Sequence, residues 1–463
     1  MDLYEENLEG YVVFNNGPIP VRLKFASKYS LFINFPEDYD FPNQTEFSSL
    51  TLKIDGENFI YDKCNLILEA NIDGYAGRLV FINNVYNFEI LLQKKVHVNL
   101  ETYFYNLPLT LNHKNNIRQT FKDFTSNLSF DLSIYRQYFD NMDQEYKDEK
   151  QSIKDSIQKV LLNSEGRKFM SFLDTKLDEL ADEIKEFSGK EHEKHGFYFR
   201  KLLWNYILCS EFMTRTNLKP RGYVGDSEMM RMIYENDYWG ETTFAKLMHK
   251  HPIEHPAAQA VRNRRLLIPK VLHETMNNFP HLPNRGFRIL SVASGPATEL
   301  QDLLATADDF NKFSFTLFDQ DTSALMEAAR GIEQIEKMKN SKAKVTYLKD
   351  SVRTMLKTSK ISEKWGQFHY IYSMGLFDYL TPPVAAVLLQ KLYELLIPGG
   401  QLFVGNYSVN NPSRYYMEYW CDWVLYYRTE EEFLNLLNDN TAKKSVYIED
   451  SGSQMFLQIK KEG

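Results

Sequence analysis

RILSVASGPATEL, residues Arg288–Leu300, decides the fold. A short β-branched strand runs into a turn of very small residues and then into a helix. A second apolar run, FSFTLFDQD, ends at Asp319 and Asp321, so an acidic residue closes the next strand about 24 residues past Gly295. An α/β sheet holds an adenosine-type ligand in this way. Ala293, Ser294, Gly295 and Ala297 let the backbone come close to a ligand, and the helix behind them offers unpaired N–H groups. Asp319 is placed to take both ribose hydroxyls. The blander alternative makes the turn mere tight packing and Asp319 an N-cap for a helix starting near Ser323.

The rest of the sheet follows from the same alternation. KVTYL (Lys344–Leu348), FHYIYSMG (Phe368–Gly375) and GQLFVGNYS (Gly400–Ser408) read as further strands, the last announced by the turn Ile397-Pro398-Gly399-Gly400. Between them, Ser323–Lys339 and Val384–Leu396 repeat apolar residues at helical spacing. Near-continuous apolar strands suit a sheet covered by helices on both faces. SVYIED (Ser445–Asp450), a Ser451-Gly452-Ser453 turn and QMFLQIKK (Gln454–Lys461) read as a closing antiparallel hairpin. A doubly wound sheet of roughly 180 residues is expected.

This order of elements resembles a class I S-adenosylmethionine-dependent methyltransferase over residues 287–463. The resemblance implies an α/β Rossmann-like methyltransferase fold, with a seven-stranded sheet and terminal antiparallel hairpin. It also implies S-adenosylmethionine as cofactor and S-adenosylhomocysteine as product. Ala293, Ser294 and Gly295 match the family's glycine-rich loop. Asp319 with Gln320 matches the ribose acid, and Asp350 with Ser351 the adenine contact. Ser373 and Met374, after Tyr372, fall where the fourth strand faces the methyl group, and Leu395–Val404 (LLIPGGQLFV) matches the loop before the fifth strand. Ser291 stands where the family often has an acid, and Glu299 is the candidate to meet the methionine ammonium instead. Alanine also replaces glycine at Ala293 and Ala297, so the loop is expected to avoid positive φ there. A dinucleotide site shares this physics, but the GxGxxG spacing is absent.

A chain of 463 residues exceeds one core and predicts several domains. The formal charge of −8 gives no general attraction to nucleic acid. Cys64, Cys209 and Cys421 are scattered, at neither metal-ligand nor disulfide-framework spacing. The acidic Met1–Glu9 does not read as a signal peptide and no apolar run suits a membrane span. A cytoplasmic protein is the expectation.

Four regions are read: 1–112, 113–218, 219–286 and 287–463. The first carries short strands, GYVVFN, VRLKFA, SLFINF, LTLKIDGENF, CNLILEA and GRLVFI, with turns at Asn15-Asn16-Gly17-Pro18 and Asp55-Gly56. A small antiparallel β-barrel is expected. Its layout is similar to a PilZ domain, a type that often binds a cyclic dinucleotide. Arg22 stands alone, however, and Ala26–Leu31 lacks the family's glycine, so little remains to grip two phosphates. The region 113–218 is charged and helix-prone; its amphipathic helices pack on one another or on a second subunit as a homodimer. His192 and His195 read as part of a solvated helix face, not a metal site.

In 219–286, glycines mix with Tyr223, Tyr234, Tyr238 and Trp239, then His249, His251 and His255, then a basic helix. This suits a lid, with Tyr223 and Asp226 helping to close it. Pro252 and Pro256 break the histidines' helical spacing, so no metal is expected. After the fifth strand, Asn406–Arg428 holds six tyrosines with Trp420 and Trp423, good walls for a pocket around an apolar chain with a polar head. Helical spacing equally explains Tyr415, Tyr419 and Trp423 as core. Arg414 is the candidate to pair with an acceptor carboxylate.

These flanking pieces narrow the resemblance. GYVGD (Gly222–Asp226), MGLFDYL (Met374–Leu380), NYSVNNPSRYYMEYW (Asn406–Trp420) and DWVLYYR (Asp422–Arg428) occur together with a PilZ-like N-terminus in one group. It is the group of bacterial enzymes associated with the 3-hydroxypalmitic acid methyl ester type of signal. The resemblance implies a carboxyl O-methyltransferase on hydroxy fatty acids. Arg414, Tyr415 and Tyr223 would orient the acceptor, with Asp226, Phe377, Asn406 and Tyr416 around it. Two rivals stand beside this. One methylates a neutral hydroxyl or amine with His249, His251 or His255 as base; the other is a regulatory protein that only senses the cofactor.

Overall fold

The computed structural model describes residues 9–83 and 113–462, except 16, 27–29, 36–38, 40, 55–56, 70–75, 281–285, 359 and 440–441. Residues Met1–Asn115 and Asn116–Gly463 form two separate units. Among its described residues the first has eight strands: β1 (Glu9–Phe14), β2 (Gly17–Ala26), β3 (Ser30–Asn34), β4 (Glu46–Phe47), β5 (Ser49–Ile54), β6 (Glu57–Tyr61), β7 (Cys64–Glu69) and β8 (Ala76–Phe81). They pair antiparallel in the order β4-β7-β8-β3-β2-β1-β5-β6. Alternate residues such as Leu31 and Ile33, or Leu50 and Leu52, point into one buried core, the period-two signature that made these strands readable. The turn at Asp55-Gly56 and the Ser27–Tyr29 stretch lie outside the described residues.

The second unit is built on a Rossmann-like mixed sheet. Its strands are β9 (Phe287–Val292), β10 (Phe313–Asp319), β11 (Lys344–Lys349), β12 (Phe368–Ser373), β13 (Leu396–Tyr407), β14 (Lys443–Ile448) and β15 (Gln454–Lys460). The order is β11-β10-β9-β12-β13-β15-β14. Strands β9 to β13 are parallel, whereas β15 runs antiparallel to both β13 and β14. Leu290 and Val292 face a layer formed with helix Pro382–Glu394. Ile289 faces the opposite layer, formed with helices Pro256–Met276 and Thr322–Lys339. β9 is therefore apolar on both faces. From β9 the chain runs outward to β10 and β11, then returns to β12 on the other side of β9. That reversal opens a crevice beyond the strands' carboxyl ends.

β13 is longer than the sequence suggested. Its strand runs through Ile397–Gly400, and the pairing with β12 shifts register there. Gly399, at φ 80°, donates its N–H to Lys461 O at 3.0 Å, so the turn-like residues make an irregularity inside the strand.

A third core joins the helical regions to the segment following β13. Phe121, Phe169, Phe199 and Leu247 pack in one cluster with Tyr419 and Trp420. The parts read as 113–218 and 219–286 thus share a core with residues 407–425. Two histidine readings change as a result. His195 is buried, accepting the N–H of Arg118 at 3.1 Å and lying edge-on to Phe121. His192 is half-buried against the Tyr419 hydroxyl, so this helix face is packed, not solvated. Pro252 lies inside helix Thr243–Glu254, and Pro256 opens the next helix, Pro256–Met276, where a missing N–H costs nothing.

Candidate functional site

A cavity of about 400 Å³ occupies the crevice. Ala293–Gly295, Asp319, Gln320 and Asp350 line it at the ends of β9, β10 and β11. Tyr223–Gly225, Met230, Tyr234 and Arg264 come from the helical region, and Met374, Tyr379, Trp423 and Leu425 complete it.

The small-residue loop follows a path the sequence argued against. Ala293 has φ 53° and Ala297 φ 47°, with Gly295 at 55° between them. A left-handed alanine costs roughly 1–2 kcal/mol. The contorted path turns backbone donors toward fixed acceptors: Ser294 N–H reaches Phe318 O at 3.2 Å and Gly295 N–H the Asp319 Oδ2 at 2.9 Å. Alanine tolerates the strain because packing and these bonds hold the loop from both sides. A side-chain carbon on Gly295 would meet no protein atom within 4 Å, so this glycine borders open cavity.

Asp319 also accepts the N–H of Asp321 through Oδ1 at 2.9 Å. Burial raises its carboxyl pKa, partly offset by the two amide donors. It does not cap the following helix. Asp321 does, accepting the N–H of Ser323 at 2.8 Å. Asp350 accepts from its neighbour's amide, Ser351 N–H, at 2.8 Å. Ser351 itself caps helix Val352–Lys357 and is not part of the cavity lining. Ser373 is likewise turned away, its hydroxyl donating to Val292 O at 2.8 Å. Glu299 is buried at the cavity with its Oε1 accepting the Tyr372 hydroxyl at 2.6 Å. Burial is the largest influence on Glu299 and raises its pKa.

Tyr223 does lie over the cavity. Its hydroxyl donates to Asp321 Oδ2 at 2.9 Å, and Arg221 pairs with the same oxygen at 3.2 Å. Gly222 and Gly225, at φ 80° and 82°, let this short segment fold back onto the sheet. Asp226 acts at one remove: it caps helix Ser227–Glu235 and is held by Arg215 at 2.7 Å.

The acceptor-side expectations need correcting. Arg414 lines no part of the cavity; it pairs with Glu418 at 2.9 Å and stacks on Tyr415 and Tyr427. Tyr415 stacks on His192, and the Tyr416 hydroxyl meets His251 Nδ1 at 2.7 Å in the helical core. Phe377 is fully buried among apolar side chains. Asn406 is also fully buried, donating to Tyr407 O and Tyr426 O at 2.9 Å each. Both are structural supports. The segment around Arg414 closes on the helices because its aromatic residues pack there at helical spacing, the alternative the sequence had left open.

Three cavity groups escaped the sequence reading. Arg264 lies on the apolar stripe of its helix with Val261 and Ile268, at spacings of three and four, so the stripe itself was the signal. Asp378 is buried, accepting Tyr407 N–H at 2.6 Å, and burial pushes its carboxyl up to about 6. Tyr379 donates to Val224 O at 2.8 Å and accepts from the Trp423 indole at 2.9 Å, tying three segments together.

The histidines are spent elsewhere. His249 stacks on Trp239, His251 bridges Tyr416 and Asp174, and His255 meets the Ser413 hydroxyl at 2.7 Å. None lines the large cavity. Among the described residues, no cluster of three or more His, Cys, Asp or Glu is arranged to hold a metal ion. No helix there is long and apolar enough to cross a membrane.

Asp378 gives a pH signature. Its raised pKa means that the folded protein holds a proton the unfolded chain releases at lower pH. Its stabilising contribution is full below the unfolded value of 3.8 and is lost as pH rises through about 6. Asp378→Asn keeps an acceptor for Tyr407 N–H. Its melting temperature should therefore gain on the parent's between pH 4 and 7, and an unchanged difference across that range would refute the assignment.

Comparison with known proteins adds likenesses of shape. No protein-family model matches the chain, and no curated protein does. Among solved structures, a possible exported protein from Bordetella parapertussis aligns at 16% identity over 51% of this chain and 80% of its own, TM-score 0.40. Magnesium protoporphyrin IX methyltransferase from Synechocystis, with bound S-adenosylhomocysteine, aligns at 9% identity over 44% and 84%, TM-score 0.33. An O-methyltransferase family protein from Burkholderia thailandensis aligns at 13% over 44% and 60%, TM-score 0.31. Strand order and cavity define a Rossmann-like α/β unit with an open cavity at its switch point.

Proposed function

We propose that the chain is an S-adenosylmethionine-dependent methyltransferase acting on the carboxylate of a hydroxy fatty acid or similar small apolar acid. The observation that carries this is the convergence of the Ala293–Gly295 loop, Asp319 and Asp350 on one cavity at three successive strand ends. Asp319 would take the ribose hydroxyls, Asp350 the adenine, and Glu299 the ammonium. Asp319 is buried and acceptor-only when ionised, which suits a diol. The bound cofactor supplies an electrophilic methyl group. A carboxylate of pKa about 4 to 5 is already ionised at neutral pH and needs no base. The protein's work is to exclude water and align the acceptor. Tyr223, Tyr379 and Trp423 enclose the cavity, and their links to Asp321 and Val224 close the lid over it.

The test is transfer of labelled methyl from S-adenosylmethionine to 3-hydroxypalmitate. A neutral, organic-soluble product that releases its label on saponification supports the reading; no label in any product opposes it. A second reading rests on Asp378. A cavity carboxylate of raised pKa could take the proton of a hydroxyl acceptor. Label resistant to saponification, lost in Asp378→Asn, would select it.

The N-terminal unit is proposed as a PilZ-like barrel that has lost its nucleotide. Ser48 alone separates β4 from β5, and its N–H donates to Val13 O at 2.8 Å. One bent strand thereby reaches β7 at one end and β1 at the other, which supports closure. The full chain should show no heat on titration with a cyclic diguanylate, and micromolar binding would overturn this part.

A further inference from the structure

We propose that Arg264 is the anchor for the acceptor's carboxylate, making this a site for anionic acceptors. The inference rests on the carboxyl-methylation reading above and supplies the group that Arg414 was expected to provide. Arg264 is only 8% exposed and lines the cavity from helix Pro256–Met276. Its Nη1 donates to Met374 O at 2.8 Å, and its Nη2 lies 3.4 Å from the Met230 sulfur, a weak acceptor. Among the described residues it makes no ion pair, although its neighbour Arg265 pairs with Asp302 at 2.7 Å. A buried guanidinium carries five N–H donors, and leaving that charge without an anion is costly.

The other charged groups at the cavity are already engaged. Glu299 holds the Tyr372 hydroxyl and Asp378 the Tyr407 amide, and both feel the Arg264 charge without touching it. What remains is a fork-shaped cation among apolar and aromatic walls: Val261, Ile268, Leu376 and Trp423. That is the complement of an apolar chain ending in a carboxylate, which a guanidinium can hold by two parallel hydrogen bonds. Met374, whose carbonyl positions Arg264, directly follows the carboxyl end of β12. The anchor is therefore tied to the strand end where the sheet opens on the cavity.

The experiment is calorimetry on the full chain, loaded with S-adenosylhomocysteine and titrated with 3-hydroxypalmitate or with its methyl ester below their micellar concentrations. The parent should bind the acid at least tenfold more tightly than the ester. Arg264→Gln should erase that preference by weakening the acid tenfold or more, while ester and S-adenosylhomocysteine affinities stay within twofold. Arg264→Lys retains the charge, so it guards against a folding defect; it should recover part of the preference but not all, because an ammonium lacks the fork. An acid preference that survives intact in Arg264→Gln would overturn the anchor while leaving carboxyl methylation standing. A parent that methylates hydroxypalmitate yet binds acid and ester alike would also overturn it. A parent with no acid preference and no methyl transfer would remove both readings together.

Discussion

Asp319→Ala is expected to weaken S-adenosylhomocysteine binding by about 1.5–3 kcal/mol, roughly tenfold or more in Kd. Two losses combine. The ribose would lose its charged acceptor, and the N–H groups of Gly295 and Asp321 would lose the carboxylate that fixes them at 2.9 Å each. The second loss matters because the loop carries three consecutive odd-numbered residues at positive φ, Ala293, Gly295 and Ala297. Strain of that kind persists only while its surroundings enforce it. Calorimetric titration of the folded variant checks the prediction, and an affinity equal to the parent's would sink the assignment.

The largest effect on stability is expected at Arg428. Its guanidinium is buried and donates to Phe377 O at 2.8 Å, to Leu380 O at 2.6 Å and to Asn406 Oδ1. It thereby clamps the segment after β12 to the end of β13, the two pieces that carry Asp378, Tyr379 and Tyr407 into the cavity. Arg428→Met keeps the apolar stem and removes every donor. With buried acceptors costing about 1–3 kcal/mol each when unsatisfied, a loss of about 3–5 kcal/mol is expected. Chemical denaturation monitored by fluorescence measures it. A loss below about 1 kcal/mol would mean that water replaces the guanidinium freely.

Arg428 also shows where sequence reasoning stops. The strands were legible because β9 and β12 are buried on both faces and β10 alternates Phe313, Phe315 and Leu317 along one, patterns set by local sequence and burial alone. Asp319 and the small-residue loop were legible as neighbours at the strand ends because a tight strand-to-helix turn constrains consecutive residues. Arg414 and Arg264 are not distinguishable on those grounds. Each is an arginine among apolar residues on a helix, and only long-range packing decides which one meets the cavity. Helix Arg414–Trp420 turned to the helical core because Tyr416, Tyr419 and Trp420 bury there. Arg414 then found Glu418 four residues on. Helix Pro256–Met276 instead presents Arg264 to the crevice, on the same stripe as Val261 and Ile268.

The loop path was missed for a different reason. Intrinsic preference disfavours left-handed alanine, but preference is weak against a carboxylate, a strand end and a packed helix all fixing the same five residues. Ala297 is almost completely buried, so its small side chain is selected by packing as much as by backbone freedom.

Whether this cavity is an S-adenosylmethionine site is measured by calorimetric titration of the full chain with S-adenosylhomocysteine, set beside the same titration with NAD. One saturable site per chain for S-adenosylhomocysteine, with no heat from NAD, is the expected result. No binding of S-adenosylhomocysteine by folded protein, or tighter binding of NAD, would contradict it.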